Sequence, residues 1–491
     1  MALPATSVWE VRPTVGSDTN GGGFDSAAAG TDYSKQNSKN SAGSNISTTD
    51  LTTTTTGGFT CTSATASFTS AITGNFIYLS GGTGGTVTAG WYYATYATAT
   101  TITLDRSPGA AATLVTMNIG GALATVSQAY TNSSSSHIIW VQNSGTYTVT
   151  TTLVISLQSY AAPGNPFSII GYTTVRGDNG QFTWTTATNS IDLVDFGSGS
   201  TGAINVLLQN INFTTTAGTK KDAIGSGSTS TNSAIITLIN CTITGFVIGI
   251  DGNTNTSYFN GLNIVNCRIT GCSSHGVRNG TNTYFLGSCI DNNAGDGFNG
   301  GVTPFPAHLG SWIFDKSIFY KNSANGINFN FDDTPTPNTA LYIVIISHCI
   351  FSTNTDAGAL FENSNDPQPK FSNCIFDANG TYGIDAGNST VTIPALLYNN
   401  AFYNNGTAAT RTIGVGIGTI TLTASPYVSI GTNFALNATS GGGALLRSLG
   451  WPGVLNFGGT GYASVGPLEV QSGVSTVPLS VSIQDPLWYG V

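Results

Sequence analysis

The stretch "NCIFDANGTYGI", Asn373 to Ile384, is repeated in altered form along the middle of the chain. "NCRITGCSSHGV" begins at Asn266, "SIFYKNSANGI" at Ser317 and "HCIFSTNTDAGA" at His348. Each copy has an apolar residue that we take as an anchor, a small polar residue three positions later and a glycine seven positions later. The anchors, separated by 30, 26, 21, 29, 32, 25 and 26 residues, are Phe213, Ile243, Ile269, Ile290, Phe319, Phe351, Phe376 and Phe402.

A repeat of this length, built from strand-forming residues and turn residues, predicts a solenoid of short parallel strands. The fixed leucine framework and helical half of a leucine-rich repeat are not seen, and propeller blades are longer, at about 40–45 residues. Variable spacing suits a solenoid because insertions fall in the loops while the anchors stay stacked, one coil upon the next.

The recurring residues have roles that such a coil would require. Glycine fits a bend because a positive φ costs it little, and asparagine tolerates the left-handed conformation while its amide can bond to the asparagine of the next coil. A second column, two residues before the anchor, is small and rich in thiols and hydroxyls. We predict that its cysteines are buried and reduced, because the 7 cysteines form no close metal-binding pair and their odd number argues against a disulfide scaffold.

The composition indicates an all-β protein and excludes several classes of function. Only 8% of residues are charged, which leaves few of the residues that cover helix surfaces, whereas Gly (62), Thr, Ser and Asn are abundant. With Lys+Arg 14, Asp+Glu 23 and a net charge of -9, nucleic-acid binding is disfavoured. The longest apolar run, "LYIVII", is too short to span a membrane, and "MALPATSVWEV" shows no secretory signal.

The repeat resembles the right-handed parallel β-helix family, the fold of pectate lyases, polygalacturonases and bacteriophage tailspikes. The resemblance covers roughly residues 136 to 405, and "HIIWVQNSGTYTV" (His137 to Val149) looks like its first coil. We therefore expect an N-terminal arm over residues 1–47, a small β-sandwich or barrel over 48–130, the β-helix over 131–411 and a C-terminal cap and tail over 412–491.

Three functional hypotheses remain open at this stage. The leading one is a structural or receptor-binding virion protein (tail fibre, tailspike or capsid decoration), because "VWEVRPTVGSDTNGGGF" (Val8 to Phe24) and the segment from Gly441 to Gln471 are similar to ends of phage-encoded β-helix proteins. It would be a homotrimer on the virion surface, attached to other virion proteins through its N-terminal region and binding a host surface polysaccharide. The alternatives are a secreted or cell-surface polysaccharide lyase or glycosidase, and a bacterial adhesin or filament-forming protein.

Two sets of candidate site residues follow from these hypotheses. Glycosidases of this architecture need paired carboxylates. The densest group of acidic residues is predicted in the loops of two successive repeats: Asp332, Asp333, Glu362 and Asp366. For glycan binding, the segment "GGVTPFPAHLGSW" offers ring-bearing side chains in a predicted loop: Phe305, His308 and Trp312. Arg268, His275 and Arg278 are basic groups of one coil without an evident acidic partner in the sequence, and no cofactor or metal ion is expected.

Overall fold

The computed structural model describes residues 3–40, 50–56, 58–134, 136–156, 166–196, 204–226, 234–254, 257–279, 282–300, 311–329, 343–361, 368–387 and 395–447. Strands dominate these residues, and the α-helices are two short ones, α1 (Val126–Thr131) and α2 (Gly443–Leu446), beside 3-10 turns at Tyr33–Lys35 and Ser70–Ile72. No helix in the described ranges is both long and apolar enough to cross a membrane. The chain divides into two compact units, the first made of residues 1–148, 157–185 and 205–212 and the second of residues 149–156, 186–204 and 213–491.

The first unit contains coils of the solenoid and an antiparallel sheet. Its parallel strands are β1 (Ser7–Val11), β9 (Ile138–Gln142), β12 (Phe167–Tyr172) and β15 (Ile204–Gln209). Strand β2 (Gly23–Asp25) pairs antiparallel with β1 at the edge of the same sheet. In a second sheet, β10 (Tyr147–Val149) lies beside β13 (Phe182–Thr186). Val8 pairs with Ile138, so part of the segment expected to be an arm lies in register with a solenoid strand.

The antiparallel sheet of the first unit is almost a closed barrel. Its order is β3-β4-β7-β6-β5-β8, with β3 (Thr52–Thr53), β4 (Thr60–Thr62), β5 (Phe76–Thr83), β6 (Gly90–Thr98), β7 (Thr101–Leu104) and β8 (Thr113–Ile119). The Thr53 N–H donates to the Ala112 carbonyl (2.9 Å) and the Val115 N–H to the Leu51 carbonyl (3.1 Å), which brings the edges β3 and β8 together. The interior is filled by buried apolar side chains such as Ile77, Leu79 and Met117.

The second unit is a parallel β-helix with three sheets, as predicted. The first sheet runs through β18 (Ala234–Ile239), β23 (Gly261–Val265), β26 (Thr283–Leu286), β29 (Ser311–Asp315), β32 (Ile343–Ser347), β35 (Pro369–Ser372) and β38 (Leu396–Tyr398). The second sheet runs through β16 (Ile211–Thr215), β19 (Thr242–Thr244), β24 (Arg268–Thr270), β27 (Cys289–Asp291), β30 (Ile318–Tyr320), β33 (Ile350–Ser352), β36 (Ile375–Asp377), β39 (Ala401–Tyr403) and β41 (Ile420–Thr421).

The third sheet of this unit runs through β11 (Leu153–Ile155), β14 (Val194–Phe196), β17 (Ile224–Ser226), β20 (Ile250–Asp251), β25 (Val277–Arg278), β28 (Phe298–Asn299), β31 (Ile327–Phe329), β34 (Ala359–Phe361), β37 (Tyr382–Ala386) and β40 (Ala408–Arg411). Two small antiparallel pairs complete the fold: β21 (Asn253–Thr254) with β22 (Ser257–Tyr258), and β42 (Tyr427–Ser429) with β43 (Asn433–Leu436).

The predicted anchor column is confirmed by the strand register. Ile243, Ile269, Ile290, Phe319, Phe351, Phe376 and Phe402 are successive partners in the second sheet, and each is buried. The ring centroids of Phe319 and Phe351 are 5.2 Å apart and those of Phe351 and Phe376 are 4.9 Å apart, with an angle of 6° between the ring planes in each pair. Like side chains therefore stack along the axis.

The asparagines three positions after the anchors form the predicted ladder. Asn322 Nδ2 donates to Asn354 Oδ1 (3.0 Å), and Asn354 Nδ2 donates to Asn379 Oδ1 (2.9 Å). The same bond joins Asn293 to Asn322 and Asn379 to Asn405, each at 2.9 Å. All seven cysteines are free and six of them are buried, as the sequence predicts.

The C-terminal part of the described chain folds over the outer side of the second sheet. Leu422, Tyr427 and Phe434 form one apolar cluster with Ile350 and Ile375. Strand β41 extends the second sheet past residue 411, where we expect the helix to end. The four segment boundaries predicted from the sequence stay predictions.

Asp377 is buried beneath this C-terminal segment, and its replacement by asparagine is expected to stabilise the protein. The side chain accepts one hydrogen bond, from Ser352 Oγ to Oδ2 (3.2 Å), while Oδ1 has no partner within the described residues. Burial raises the pKa of Asp377 from 3.8 to about 6, so ionisation opposes folding and stability falls as the pH rises from about 4 to 6.

For Asp377→Asn we expect the free energy of unfolding at pH 7 to rise by about 3 kcal/mol, from the size of that pKa shift. The gain should vanish near pH 4, where the wild-type carboxyl is largely protonated. Urea denaturation of both proteins at the two pH values measures the difference, and an equal effect at both values would contradict the assignment.

Candidate functional site

The outer face of the third sheet carries a row of polar side chains in the second unit. Val194, Ile224, Ile250, Val277, Phe298 and Ile327 are partners in register and point into the core, where each is buried. Because successive side chains of a strand alternate between faces, the residues that follow them point outward. These are Asp195, Gly225, Asp251, Arg278, Asn299 and Asn328.

A second polar column lies two residues before five of those six core positions, the exception being Ile250, which Ile248 precedes. We call the two columns and the adjacent lysine the polar strip, defined as Asp192, Asp195, Lys221, Asp222, Asp251, His275, Arg278, Asp296, Asn299, Asn325 and Asn328. Adjacent strands lie about 4.8 Å apart. The strip therefore extends for roughly 24 Å along the solenoid axis, from the coil of β14 to that of β31.

Asp192 is the centre of the acidic half of the strip. A Cβ built on Gly225 would lie 3.3 Å from Asp192 Oδ2, so this carboxylate lies over the glycine, at the level between Asp195 and Asp251. Lys221 Nζ lies 2.5 Å from Asp192 Oδ2, and the Asp222 N–H donates to Asp192 Oδ1 (3.1 Å). The absence of a side chain at residue 225 is what allows three carboxylates to follow one another along the axis.

Two carboxylates beside Asp192 are held in conditions that favour their protonated form. Burial, followed by repulsion from Asp192, raises the pKa of Asp195 from 3.8 to about 6. Burial, followed by repulsion from Asp251 and Asp192, raises the pKa of Asp222 from 3.8 to about 7. Asp195 Oδ1 has no hydrogen-bond partner among the described residues, whereas Asp222 Oδ1 accepts the Ile248 N–H at 2.9 Å. Both groups thus titrate close to neutral pH.

The remaining carboxylate of the acidic half, Asp251, is paired with a cation. Arg278 on the next coil donates from Nε to Asp251 Oδ1 (2.9 Å) and from Nη2 to Asp251 Oδ2 (2.5 Å), a two-point contact that fixes both side chains. Asp251 is buried and Arg278 is half-buried. The basic residue that seemed unpaired in the sequence therefore has an acidic partner one coil away.

Asp296 organises the other half of the strip, which is rich in amides. It accepts hydrogen bonds from the side chains of Asn299 (2.9 Å), Asn325 (2.9 Å) and Asn328 (3.1 Å), and His275 Nδ1 lies 3.4 Å from its Oδ2. Burial would raise the pKa of Asp296, but the contacts of its carboxylate with His275 and Asn325 outweigh it and the pKa is lowered. This carboxylate is a fixed acceptor rather than a proton donor.

The candidate residues chosen from the sequence are not those of the strip. Asp332, Asp333, Glu362, Asp366, Phe305 and His308 lie outside the described residues. Trp312, predicted in a loop that could stack on a sugar, is instead in β29, with 0% of its surface exposed and its ring 5.4 Å from that of Phe329. That prediction is wrong for Trp312, because the alternation of β29 turns its indole into the core.

The sequence did contain a signal for the strip. The glycines seven residues after the anchors are followed by the core residues Val277, Phe298 and Ile327, and extending that column toward the N-terminus reaches Ile250, Ile224 and Val194. The next residue in each coil then gives Asp251, Gly225 and Asp195. The shortened spacing at Gly249, six residues after its anchor, obscured the column.

The comparisons with known proteins bear on the fold. No protein-family model matches the chain, and no curated protein matches it.

Among the described residues, no group of three or more histidine, cysteine or acidic side chains is arranged to hold a metal ion.

Three solved structures illustrate what the chain is similar to. Pectate lyase Pel9A is 15% identical, with a TM-score of 0.41 over 71% of this chain and 91% of its own. The A-module of mannuronan C-5 epimerase AlgE6 from Azotobacter vinelandii is 13% identical (TM-score 0.31, 59% and 91%). The catalytic unit of the GH87 α-1,3-glucanase from Streptomyces thermodiastaticus is also 13% identical (TM-score 0.35, 70% and 83%). At these identities the likeness concerns the fold alone, and the parallel β-helix itself is established by the strand pairing described above.

Proposed function

We propose that the chain is a polysaccharide-hydrolysing enzyme whose site is the acidic half of the polar strip. The observation that carries this proposal is the placement of two carboxylates that titrate near neutral pH, Asp195 and Asp222, beside the ion-paired Asp192. Environments that adjust carboxyl groups for proton transfer at neutral pH are characteristic of acid–base sites.

The roles follow from the protonation states. Asp222, with a pKa of about 7, retains its proton longest and would donate it to the glycosidic oxygen as the bond to the anomeric carbon breaks. Asp195, with a pKa of about 6, would accept the proton of the water that attacks that carbon. Asp192, held by Lys221, would stabilise the positive charge that develops on the sugar ring.

This scheme predicts a narrow, bell-shaped dependence of hydrolysis on pH. Asp195 must be ionised, so the rate should rise through about pH 6, and Asp222 must be protonated, so the rate should fall through about pH 7. The measurement is kcat/KM for release of reducing ends across pH 4 to 9. Asp195→Asn should remove the acidic limb, and a rate that is flat across this range would contradict the roles.

A panel of bacterial and plant polysaccharides tests the reaction class. Hydrolysis yields new reducing ends without unsaturated sugars, whereas a lyase yields ultraviolet-absorbing unsaturated ends. Release of unsaturated product would replace hydrolysis by elimination, and the absence of any cleavage across the panel would remove the proposal.

Of the three hypotheses drawn from the sequence, the described geometry supports the enzyme alternative. The virion role, the homotrimer, the N-terminal attachment to other virion proteins and the location on a particle surface stay predictions. Size-exclusion chromatography with light scattering tests the trimer directly.

A further inference from the structure

We infer that the polymer bound along the polar strip is an uncharged polysaccharide, and that polyuronates, which carry a carboxylate on each sugar, are excluded. The inference rests on the proposed function and adds the substrate class. Three features of the strip support it: its negative charge, the ion pairs that engage its cations, and its amide side chains.

The charge of the strip is unfavourable for an anionic polymer. Even with Asp222 protonated, four carboxylates (Asp192, Asp195, Asp251 and Asp296) share the strip with two permanent cations, Lys221 and Arg278. A polyuronate would bring further negative charge within a few ångströms of these groups, where like charges repel.

The two cations are already engaged. Lys221 Nζ lies 2.5 Å from Asp192, and Arg278 makes its two-point contact with Asp251. Capture of a uronate carboxylate would need a cation free to make the same contact. Lys220, the nearest exposed lysine in sequence, lies instead beside Gly245, after β19 of the second sheet.

The amide side chains of the strip suit sugar hydroxyls. Asn299 and Asn328 are half-buried on the outer face, where Asp296 accepts one hydrogen bond from each amide (2.9 and 3.1 Å) and fixes their orientation. Carboxylate and amide oxygens accept hydrogen bonds from hydroxyls, and an amide N–H₂ donates to them. The amide half is continuous with the acidic half in the same sheet, so an uncharged chain lying along the axis would contact Asn299 and Asn328 beyond the bond that is cut.

Affinity electrophoresis of the full chain in gels containing one polymer each tests the inference, with Asp222→Asn used so that the polymer is not consumed. We expect starch or dextran to retard the protein, and polygalacturonate and alginate to bind at least roughly tenfold more weakly, a difference of about 1.4 kcal/mol. Retardation by the neutral glucan should be insensitive to salt, because no ion pair with the ligand is made. The double variant Asn299→Ala, Asn328→Ala should weaken it, and Asp356→Asn, at an exposed site in the same unit, should not.

The outcomes separate the two proposals. Tight binding of polygalacturonate or alginate, with cleavage by wild type that Asp222→Asn abolishes, would overturn the uncharged class and leave hydrolysis standing. A polycation such as chitosan, bound more tightly than the neutral glucans in a salt-sensitive way, would overturn it as well. If no polymer is bound or cut, the proposed function fails and the substrate class fails with it.

Discussion

Replacing Asp222 with asparagine is expected to lower the kcat of polysaccharide hydrolysis by a factor of about 10² to 10⁴, the usual contribution of a general acid. The carboxyl owes its raised pKa to burial and to the neighbouring charges of Asp251 and Asp192, and asparagine keeps the shape of the side chain while removing the transferable proton. Oδ1 of the new side chain can still accept the Ile248 N–H, so the local fold should persist. KM should change little, because the loss is confined to the proton-transfer step.

The matched control for this prediction is Asp356→Asn, which removes an exposed carboxylate of the same unit. Its activity should equal that of the wild type, and both variants should show wild-type circular dichroism. A substrate with a leaving group that needs no protonation should restore much of the rate to Asp222→Asn. If Asp222→Asn hydrolyses the natural polymer at the wild-type rate, Asp222 is not the acid.

The second large effect concerns the first unit, where Glu10→Gln is expected to lower the free energy of unfolding by about 3–5 kcal/mol. Glu10 is fully buried and lies between two arginines: Arg12 Nε is 2.9 Å from Oε1, and Arg176 Nη2 is 2.8 Å from Oε2. Tyr172 also donates its hydroxyl to Oε1. The substitution would leave Arg176 with the carboxylate of Asp32 (2.8 Å) and Arg12 with no carboxylate partner among the described residues, although both guanidinium groups are largely buried.

Tyr172→Phe provides a graded comparison, because it removes one hydrogen bond to the same carboxylate and leaves the charges intact. It should cost about 1–3 kcal/mol. Urea denaturation, monitored by the fluorescence of buried tryptophans such as Trp9, measures the free energy of unfolding of both variants. A loss for Glu10→Gln no larger than that for Tyr172→Phe would mean that the arginines find other partners.

The fold was predictable because equivalent positions of successive coils carry similar residues, and this pattern recurs many times in the sequence. Phe351 and Phe376 could be aligned without coordinates, since both the apolar anchor and the asparagine after it recur. The parts that do not repeat were not predictable: nothing about Val8 identifies Ile138 as its partner, and the pairing links segments that are distant in sequence.

The candidate site was missed for a related physical reason. Its carboxylates come from different coils, and only the register of the third sheet places Asp195, Gly225 and Asp251 in one line. Local acidic density in the sequence points to residues after β31 and β34, whereas proximity in a solenoid is set by the register. The pairing of Arg278 with Asp251 likewise spans 27 residues of sequence and a single strand spacing.

The asparagine ladder has a consequence for how such a molecule can change in length. Each ladder amide from Asn293 to Asn379 donates to the asparagine of the following coil and also to a backbone carbonyl of the preceding coil. Every coil of the ladder therefore offers its neighbours the same donors and acceptors. Excising or duplicating one complete coil would rejoin the series without a mismatch, whereas a shift of a few residues within a strand would break it. Evolution, or an engineer, can therefore shorten or lengthen this scaffold only in whole-coil increments, and the intervening loops remain free to vary.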